Sequence, residues 1–192
     1  MASAQPVLRT GSRGAAVTTL QHRLAGLRYD VGPIDGSFGY QTYHGVVAFQ
    51  KVNGLVRDGI VGPRTWYALA HPLIPRPRRW LSVSSLEANL TRQVVYLARQ
   101  GVVLRILDAS SGTASTPTPT GNFTIYRRID GWRQSPAGAA VAPELFLRRL
   151  RGARLDLGAG LPGQPRLCPG DRAGDQPAVV AAARRHAGVV YR

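Results

Sequence analysis

The chain is poor in cysteine, lysine and acid. Cys168 is the one cysteine in 192 residues, which excludes an internal disulfide, and no Cys/His grouping has the spacing of a zinc site. No metal and no cofactor is expected. No run of 18 apolar residues occurs, so no transmembrane segment is expected either. The opening residues Met1-Ala2-Ser3-Ala4-Gln5-Pro6 have neither the basic region nor the apolar core of a signal peptide. Lys51 is the only lysine, although Lys and Arg together number 25 against 10 Asp and Glu. The net charge of +15 is therefore almost all arginine. Such a charge suits nucleic acid, or a polyanionic wall or membrane surface. Arg, Ala, Gly and Pro are all abundant here and all read from GC-rich codons. Base composition thus explains the charge more simply than a nucleic-acid surface does, and no nucleic-acid partner is expected.

Hydrophobic content of 44% is that of a folded chain. Val17, Leu20, Leu24 and Leu27 recur with the spacing of one helical face. Ser12 stands where an N-cap belongs, and Arg28-Tyr29-Asp30-Val31-Gly32-Pro33 ends the segment with breakers. The turn Asp35-Gly36-Ser37-Phe38-Gly39 leads to a second helix whose apolar side carries Val46, Val47, Phe49 and Gln50. Asp58-Gly59 and Gly62-Pro63 bracket a short connection, with Pro63 placed to open a third helix containing Trp66, Tyr67 and Leu69. Asp35 and Thr42 are apt helix caps. From residue 72 to 79 the chain is Pro-rich, which predicts an extended, semi-rigid linker and a domain boundary.

Beyond the linker the period changes. Gln93–Arg99 and Val102–Leu107 are β-rich runs split by Gln100-Gly101, a hairpin signal. Leu86 to Leu90 and Phe123 to Tyr126 read as further strands. After about Gly138 neither period persists, and only Pro177 to His186 has the composition of a short helix. The expected class is α+β: a three-helix domain over 5–71, the linker over 72–79, a truncated antiparallel β-rich domain over 80–142, and an irregular, poorly ordered tail without a packed core over 143–192.

The first 70 residues resemble the peptidoglycan-binding domain attached to many wall hydrolases and transpeptidases. The likeness runs through Leu8-Arg9-x-Gly11-Ser12-Arg13-Gly14, Val17-x-x-Leu20-Gln21-x-x-Leu24 and Asp35-Gly36-x-Phe38-Gly39-x-x-Thr42. It continues in Val47-x-Phe49-Gln50 and Gly54-Leu55-x-x-Asp58-Gly59-x-Val61-Gly62-Pro63-x-Thr65-Trp66. The resemblance implies a protein of the cell wall, outside the cytoplasm, whose partners are glycan strands and stem peptides; a monomer is expected. The candidate contacts are Asp35, Phe38, Tyr40 and Tyr43. Tyrosines beside a polar loop offer a surface on which a sugar can stack, although half-buried structural tyrosines are the plainer reading. Phe49 and Trp66 read as core.

Residues 86 to 138 resemble the L,D-transpeptidase catalytic domain of YkuD type. The carriers are Leu90-Thr91-Arg92-Gln93-Val94-Val95-Tyr96-Leu97, Ser110-Ser111-Gly112, Thr116-Pro117-Thr118-Pro119-Thr120-Gly121-x-Phe123 and Tyr126–Arg133. The family's chemistry requires a cysteine thiolate, a histidine to take the thiol proton, and backbone N–H groups for the oxyanion. Those groups lie in a His-Gly followed by Ser-His-Gly-Cys-x-Arg. That string is absent, and no catalytic residue is assigned. Cys168 sits in Gln164-Pro165-Arg166-Leu167-Cys168-Pro169 with no His-Gly before it, two prolines where N–H donors are needed, and His186 on the wrong side. Arg166 alone does not make it a nucleophile.

The missing string is compatible with the same DNA read one nucleotide later. In that frame Leu147 to Arg154 can read Ser-Gly-Gly-Tyr-Ala-Val-His-Gly, and Leu155 to Gly163 can read Ser-Thr-Ser-Val-Pro-Ala-Tyr-Pro-Ala. Gln164 to Pro169 can then read Ser-His-Gly-Cys-Val-Arg. A one-base insertion or deletion between Gly138 and Leu147, in the gene or in its reading, is therefore expected. Sequencing the locus checks this: the shifted frame over codons 147 to 169 should encode His-Gly and then Ser-His-Gly-Cys, and any other reading removes the idea.

Overall fold

The fold is taken from a computed structural model that describes residues 5–78, 85–112, 117–128, 133–134, 140–141, 145–148, 154–155 and 187–191. Its first helices are α1 (Ala15–Gly26), α2 (Tyr40–Val52) and α3 (Pro63–Ala70). Val17, Leu20 and Leu24 are buried as their spacing requires, with Leu27 packed against the same core. Phe49 and Trp66 are core residues as well. Pro63 opens α3, where its fixed φ and missing N–H cost nothing.

The capping expectations fail. Each helix is preceded by a glycine, Gly14, Gly39 or Gly62, and no side chain caps any of them. Ser12 Oγ instead accepts the Arg9 N–H at 3.0 Å. Asp35 accepts the Ser37 N–H at 2.8 Å, and Thr42 lies inside α2. These side chains close loops, and the loops aim the helices.

The helical domain is built twice from one plan. Val17-x-x-Leu20-Gln21 in α1 corresponds to Val46-x-x-Phe49-Gln50 in α2. Asp35-Gly36-x-Phe38-Gly39-x-x-Thr42 corresponds to Asp58-Gly59-x-Val61-Gly62-x-x-Thr65. Gly36 and Gly59 share a left-handed backbone, with φ of 72° and 70°. Gln21 and Gln50 are buried, and each Oε1 accepts the N–H of its own loop glycine at 2.9 Å. Phe38 and Val61, buried at equivalent points, each pair by backbone with the N-terminal segment: Phe38 N–H with Ser12 O, and Val61 with Leu8 in both directions.

The β domain contains β1 (Ser85–Asn89), β2 (Val94–Arg99), β3 (Val102–Asp108), β4 (Gly121–Arg128), β5 (Arg133–Gln134), β6 (Ala140–Val141), β7 (Leu145–Arg148), β8 (Arg154–Leu155) and β9 (Ala187–Tyr191). The expected hairpin is present, with Gln100 and Gly101 both at positive φ between β2 and β3. The strand order β3-β2-β1-β9-β4-β7-β8 departs from expectation in two ways. First, β9 runs parallel to β1, so the sheet is mixed and not antiparallel throughout. Second, the tail supplies β7, β8 and the central β9, with Val189 and Val190 buried, so it is not wholly irregular. The β-favouring run Val189-Val190-Tyr191 explains β9; it is too short to declare itself by period. The proposed helix Pro177–His186 lies outside the described residues.

The two domains share a core. Val94, Tyr96 and Ile106 of the sheet belong to the same buried cluster as Leu20, Leu24, Phe49 and Trp66. Leu86, Ala88, Val95, Ala109 and Val190 form a separate cluster, as the alternation of a strand requires. Residues 28–30 make the junction continuous. The C-terminus of α1 closes with Arg28 N–H to Ala25 O at 2.9 Å and Tyr29 N–H to Leu24 O at 3.0 Å, the Schellman pattern. Arg28 takes the left-handed position, with φ 72°. The chain then pairs in parallel with edge strand β3: Ile106 N–H donates to Arg28 O at 2.8 Å, and Asp30 N–H donates to Ile106 O at 3.0 Å. The Pro-rich segment is pinned at both ends, Leu73 N–H to Asn53 Oδ1 at 2.9 Å and Arg78 N–H to Glu87 Oε2 at 2.7 Å. The extended, semi-rigid segment that its prolines suggest is thus tied at Leu73 to the helical domain and at Arg78 to the β domain.

Two substitutions, one within 28–30 and one on α2 where it packs against Asp30, should act with opposite signs. Arg28→Gly should stabilise the chain by roughly 0.5–1 kcal/mol, because glycine adopts positive φ without the side-chain penalty. Gly45→Ala should destabilise by about 1–3 kcal/mol, because overpacking there forces a backbone shift; its added methyl would lie 2.8 Å from Asp30 O. Chemical denaturation of the two variants measures both; equal signs would remove the proposed role of the segment.

Candidate functional site

The sequence nominated the turn and start of α2, and the structure divides its four candidates. Asp35 is exposed, but its carboxylate is committed: Oδ1 accepts Gln21 Nε2–H at 3.0 Å and Ser37 N–H at 2.8 Å. Those hydrogen bonds hold its pKa below the usual carboxylate range, Gln21 contributing most. Phe38 is 2% exposed and lies in the core, which corrects its nomination as a contact. A ring that deep fastens the turn from beneath. Tyr40 is 37% exposed, and Tyr43 is half-buried with its ring against Gly59. Both rings meet His44 edge-on, with centroids 4.3 and 5.3 Å away. Of the four, Tyr40 and Tyr43 are therefore brought together around one imidazole.

Gln21 organises this turn. Its Nε2 lies within 3.0–3.2 Å of Pro33 O, Asp35 Oδ1, Ser37 O and Thr42 Oγ1, so its two N–H protons are shared among four acceptors. The second loop has the same construction, with Gln50 Nε2 donating to Asp58 Oδ1 at 2.8 Å and Ile60 O at 3.0 Å. The repeat separates framework from surface: Gln, Asp, Gly and Thr recur in both halves, whereas Tyr40, Tyr43 and His44 correspond to Pro63, Trp66 and Tyr67. Tyr67 is 69% exposed and stacks at 4.6 Å on His71. In the sequence Tyr67 stands out only as part of a helix, because a single exposed ring leaves no periodic trace.

His44 leads from this surface to the domain junction. Its Nδ1–H donates to Asp108 Oδ2 at 2.8 Å. The other oxygen of Asp108 accepts Lys51 Nζ at 2.5 Å. Lys51 is buried and donates also to Gln93 O at 3.2 Å and Ala109 O at 2.9 Å. Three ammonium protons thus meet three acceptors, all of them supplied by the β domain. Arg92 returns a hydrogen bond the other way, from Nη1 to Val52 O at 2.6 Å. Beneath lie Tyr29 and Tyr96, both with phenols raised by burial, Tyr96 to about 12. None of these junction residues was nominated from sequence; the one signal was that a chain otherwise using arginine has a lysine here.

In the β domain the Pro117–Thr120 segment, the end of β9 and Arg78 line an open cavity of about 580 Å³. Thr118 Oγ1 accepts the Gly112 N–H at 2.8 Å, and the Arg78 guanidinium lies 4.9 Å over the Tyr191 ring. Burial and nearby Glu87 raise the Tyr191 phenol. The cavity combines one cation, two threonines and an aromatic, which suits a polar ligand. Cys168 and His186 lie outside the described residues.

Residues 13–69 match the peptidoglycan-binding domain family, and residues 84–171 match the L,D-transpeptidase catalytic domain. The second match continues past Gly138, where the recognisable motifs end. A solved L,D-transpeptidase from Xylanimonas cellulosilytica is 36% identical and has a TM-score of 0.64, with 77% of this chain and 76% of that one covered. The N-acetylmuramoyl-L-alanine amidase CwlM of Mycobacterium tuberculosis is 45% identical over 56 residues, 29% of this chain and 14% of that protein. The zinc D-Ala-D-Ala carboxypeptidase of Streptomyces albus G is 46% identical over 61 residues, 31% and 24%. The chain thus spans less than a quarter of either of these two curated relatives.

Replacing either buried glutamine tests the framework role. Gln21→Leu and Gln50→Leu should each cost roughly 2–4 kcal/mol, because several loop groups lose their partner together. A loss under about 1 kcal/mol in urea denaturation would contradict the repeat as the basis of the domain.

Proposed function

Since the chain belongs to the L,D-transpeptidase family and carries a peptidoglycan-binding domain ahead of the catalytic one, we propose that it is a monomeric protein of the bacterial wall, outside the cytoplasm, inactive in cross-linking as its sequence stands. Wall attachment is assigned to the helical domain. Its partners are glycan strands and stem peptides, met by Tyr40 with Tyr43 beside it, while Asp35 and Phe38 keep the turn in shape.

In an active family member, the cysteine thiolate attacks a diamino-acid carbonyl in one stem. The bond to the terminal D-alanine breaks as its nitrogen takes a proton, leaving a thioester; the amine of a second stem then displaces the thiolate. Each step needs the base and the oxyanion donors in place. The observation that carries the inactive reading is the absence of Ser-His-Gly-Cys-x-Arg from the whole sequence, with no His-Gly after His44-Gly45 of the helical domain. Cys168, between Leu167 and Pro169 with no Ser-His-Gly directly before it, does not supply that motif. A shifted reading frame accounts for that absence: in a corrected frame the protein would be a complete transpeptidase, and in a true shift a wall-binding remnant. A purely non-catalytic binding module is the second reading. It is favoured by the amidase and carboxypeptidase relatives, whose similarity is confined to stretches of 56 and 61 residues.

The full chain should co-sediment with purified sacculi and form no 3→3 cross-links between stem tetrapeptides, with or without Cys168→Ala. A chain that stays in the supernatant would remove the wall assignment. D-alanine release abolished by Cys168→Ala would remove the inactive reading.

A further inference from the structure

We infer that the helical domain is not a tethered anchor but a fixed edge-piece of the β domain, so that the chain moves as one rigid body with its wall-binding face at a constant offset from the catalytic sheet. Three independent features of the junction point the same way. The first is backbone pairing: residues 28–30 occupy the outer side of β3, the terminal strand of the sheet. An unpaired edge strand presents free N–H and C=O groups, which folded proteins cover or blunt. Here the cover is a piece of the neighbouring domain, held in place by the Schellman turn that ends α1.

The second feature is charge. Lys51 on α2 and Asp108 at the end of β3 are both largely buried, the side chains 7% and 11% exposed, with Nζ and Oδ1 2.5 Å apart. His44, nearly two turns earlier on α2, holds the remaining Asp108 oxygen. Separation of the domains would leave the carboxylate or the ammonium without its partners, or expose the apolar surface around them. Breaking such a pair is costly because the abandoned charge stays desolvated. The third feature is the strap: Arg78 N–H reaches Glu87 on β1 while the Arg78 guanidinium lies over Tyr191 on β9. The described part of the connection, up to Arg78, is therefore held against the sheet.

The interaction surface is thus the face of α2 carrying His44 and Lys51 together with the 28–30 strand, and the partner it fits is the β2–β3 hairpin of the same chain. The value of a constant offset rests on the wall attachment proposed above: a bound glycan strand would be presented to the sheet in one orientation. The rigidity itself does not depend on that reading, and its test uses no wall material.

The test is limited trypsin digestion of the full chain, following the cut after Arg78. In the docked protein this bond should be cut slowly, because the strap must first lift. Lys51→Met and Asp108→Leu should each accelerate that cut by at least about tenfold, since each leaves a buried charge unpaired. The double variant Lys51→Met/Asp108→Leu should be cut more slowly than either single variant, because no unpaired charge remains, although Gln93 O, Ala109 O and His44 still lose a partner. Circular dichroism reports in parallel whether the helices survive in each variant. A wild-type chain cut as fast as a denatured one, single variants cut at the wild-type rate, or a double variant with no recovery would each overturn the inference.

Discussion

The ammonium of Lys51, enclosed by Asp108 and two carbonyls of the opposite domain, is the constraint from which the rest of the junction follows. It fixes α2 against the hairpin of β2 and β3, and that placement brings residues 28–30 alongside the sheet edge. With the edge covered, Val94, Tyr96 and Ile106 turn inward on Tyr29 and Phe49 instead of facing water. A buried ion pair contributes little net stability against a well-packed apolar alternative, yet removing one partner costs about 3–5 kcal/mol. Its effect is therefore on specificity of placement. An ammonium carries three tetrahedral donors on one atom, and Lys51 Nζ places them on these three acceptors.

The repeat within the helical domain explains why its motifs extend so far along the chain. Each half requires a glutamine on one helix, an Asp-Gly loop, a buried apolar residue and a glycine before the next helix. These are requirements of backbone geometry and hydrogen bonding, and meeting them twice yields a domain small enough to need the sheet as part of its core. What distinguishes the halves is the surface they carry. The first half has Tyr40, Tyr43 and His44 next to the junction; the second has Tyr67 and His71 exposed on the far end of the plan. Surface and scaffold are therefore written in different residues, and the motif string mostly records the scaffold.

The sequence was most informative where interactions are local. Val17, Leu20 and Leu24 announce α1 by period, Pro63 announces α3, and Gln100-Gly101 announces the hairpin. The motif strings also carried both family likenesses. It was least informative where partners are far apart: Lys51 and Asp108 are on separate domains, and neither leaves a periodic mark. Strand β9 escaped for the same reason, since parallel pairing with β1 joins segments about a hundred residues apart and no local pattern encodes such pairing. For the linker, proline composition reports stiffness and says nothing about what a stiff segment lies against. Phe38 was misread because it belongs to a motif, and membership of a motif does not distinguish a contact from a support.

The claim that one domain completes the other's sheet is tested most directly by hydrogen exchange at the amides of Asp30 and Ile106, the two N–H groups that cross the junction. If the junction is closed in solution, both should exchange as slowly as the interior amides of β2, because opening either requires the shared core to part. If Asp30 and Ile106 exchange at the rate of an unstructured peptide while the β2 amides remain protected, the domains are tethered and not joined, and the account fails at its centre.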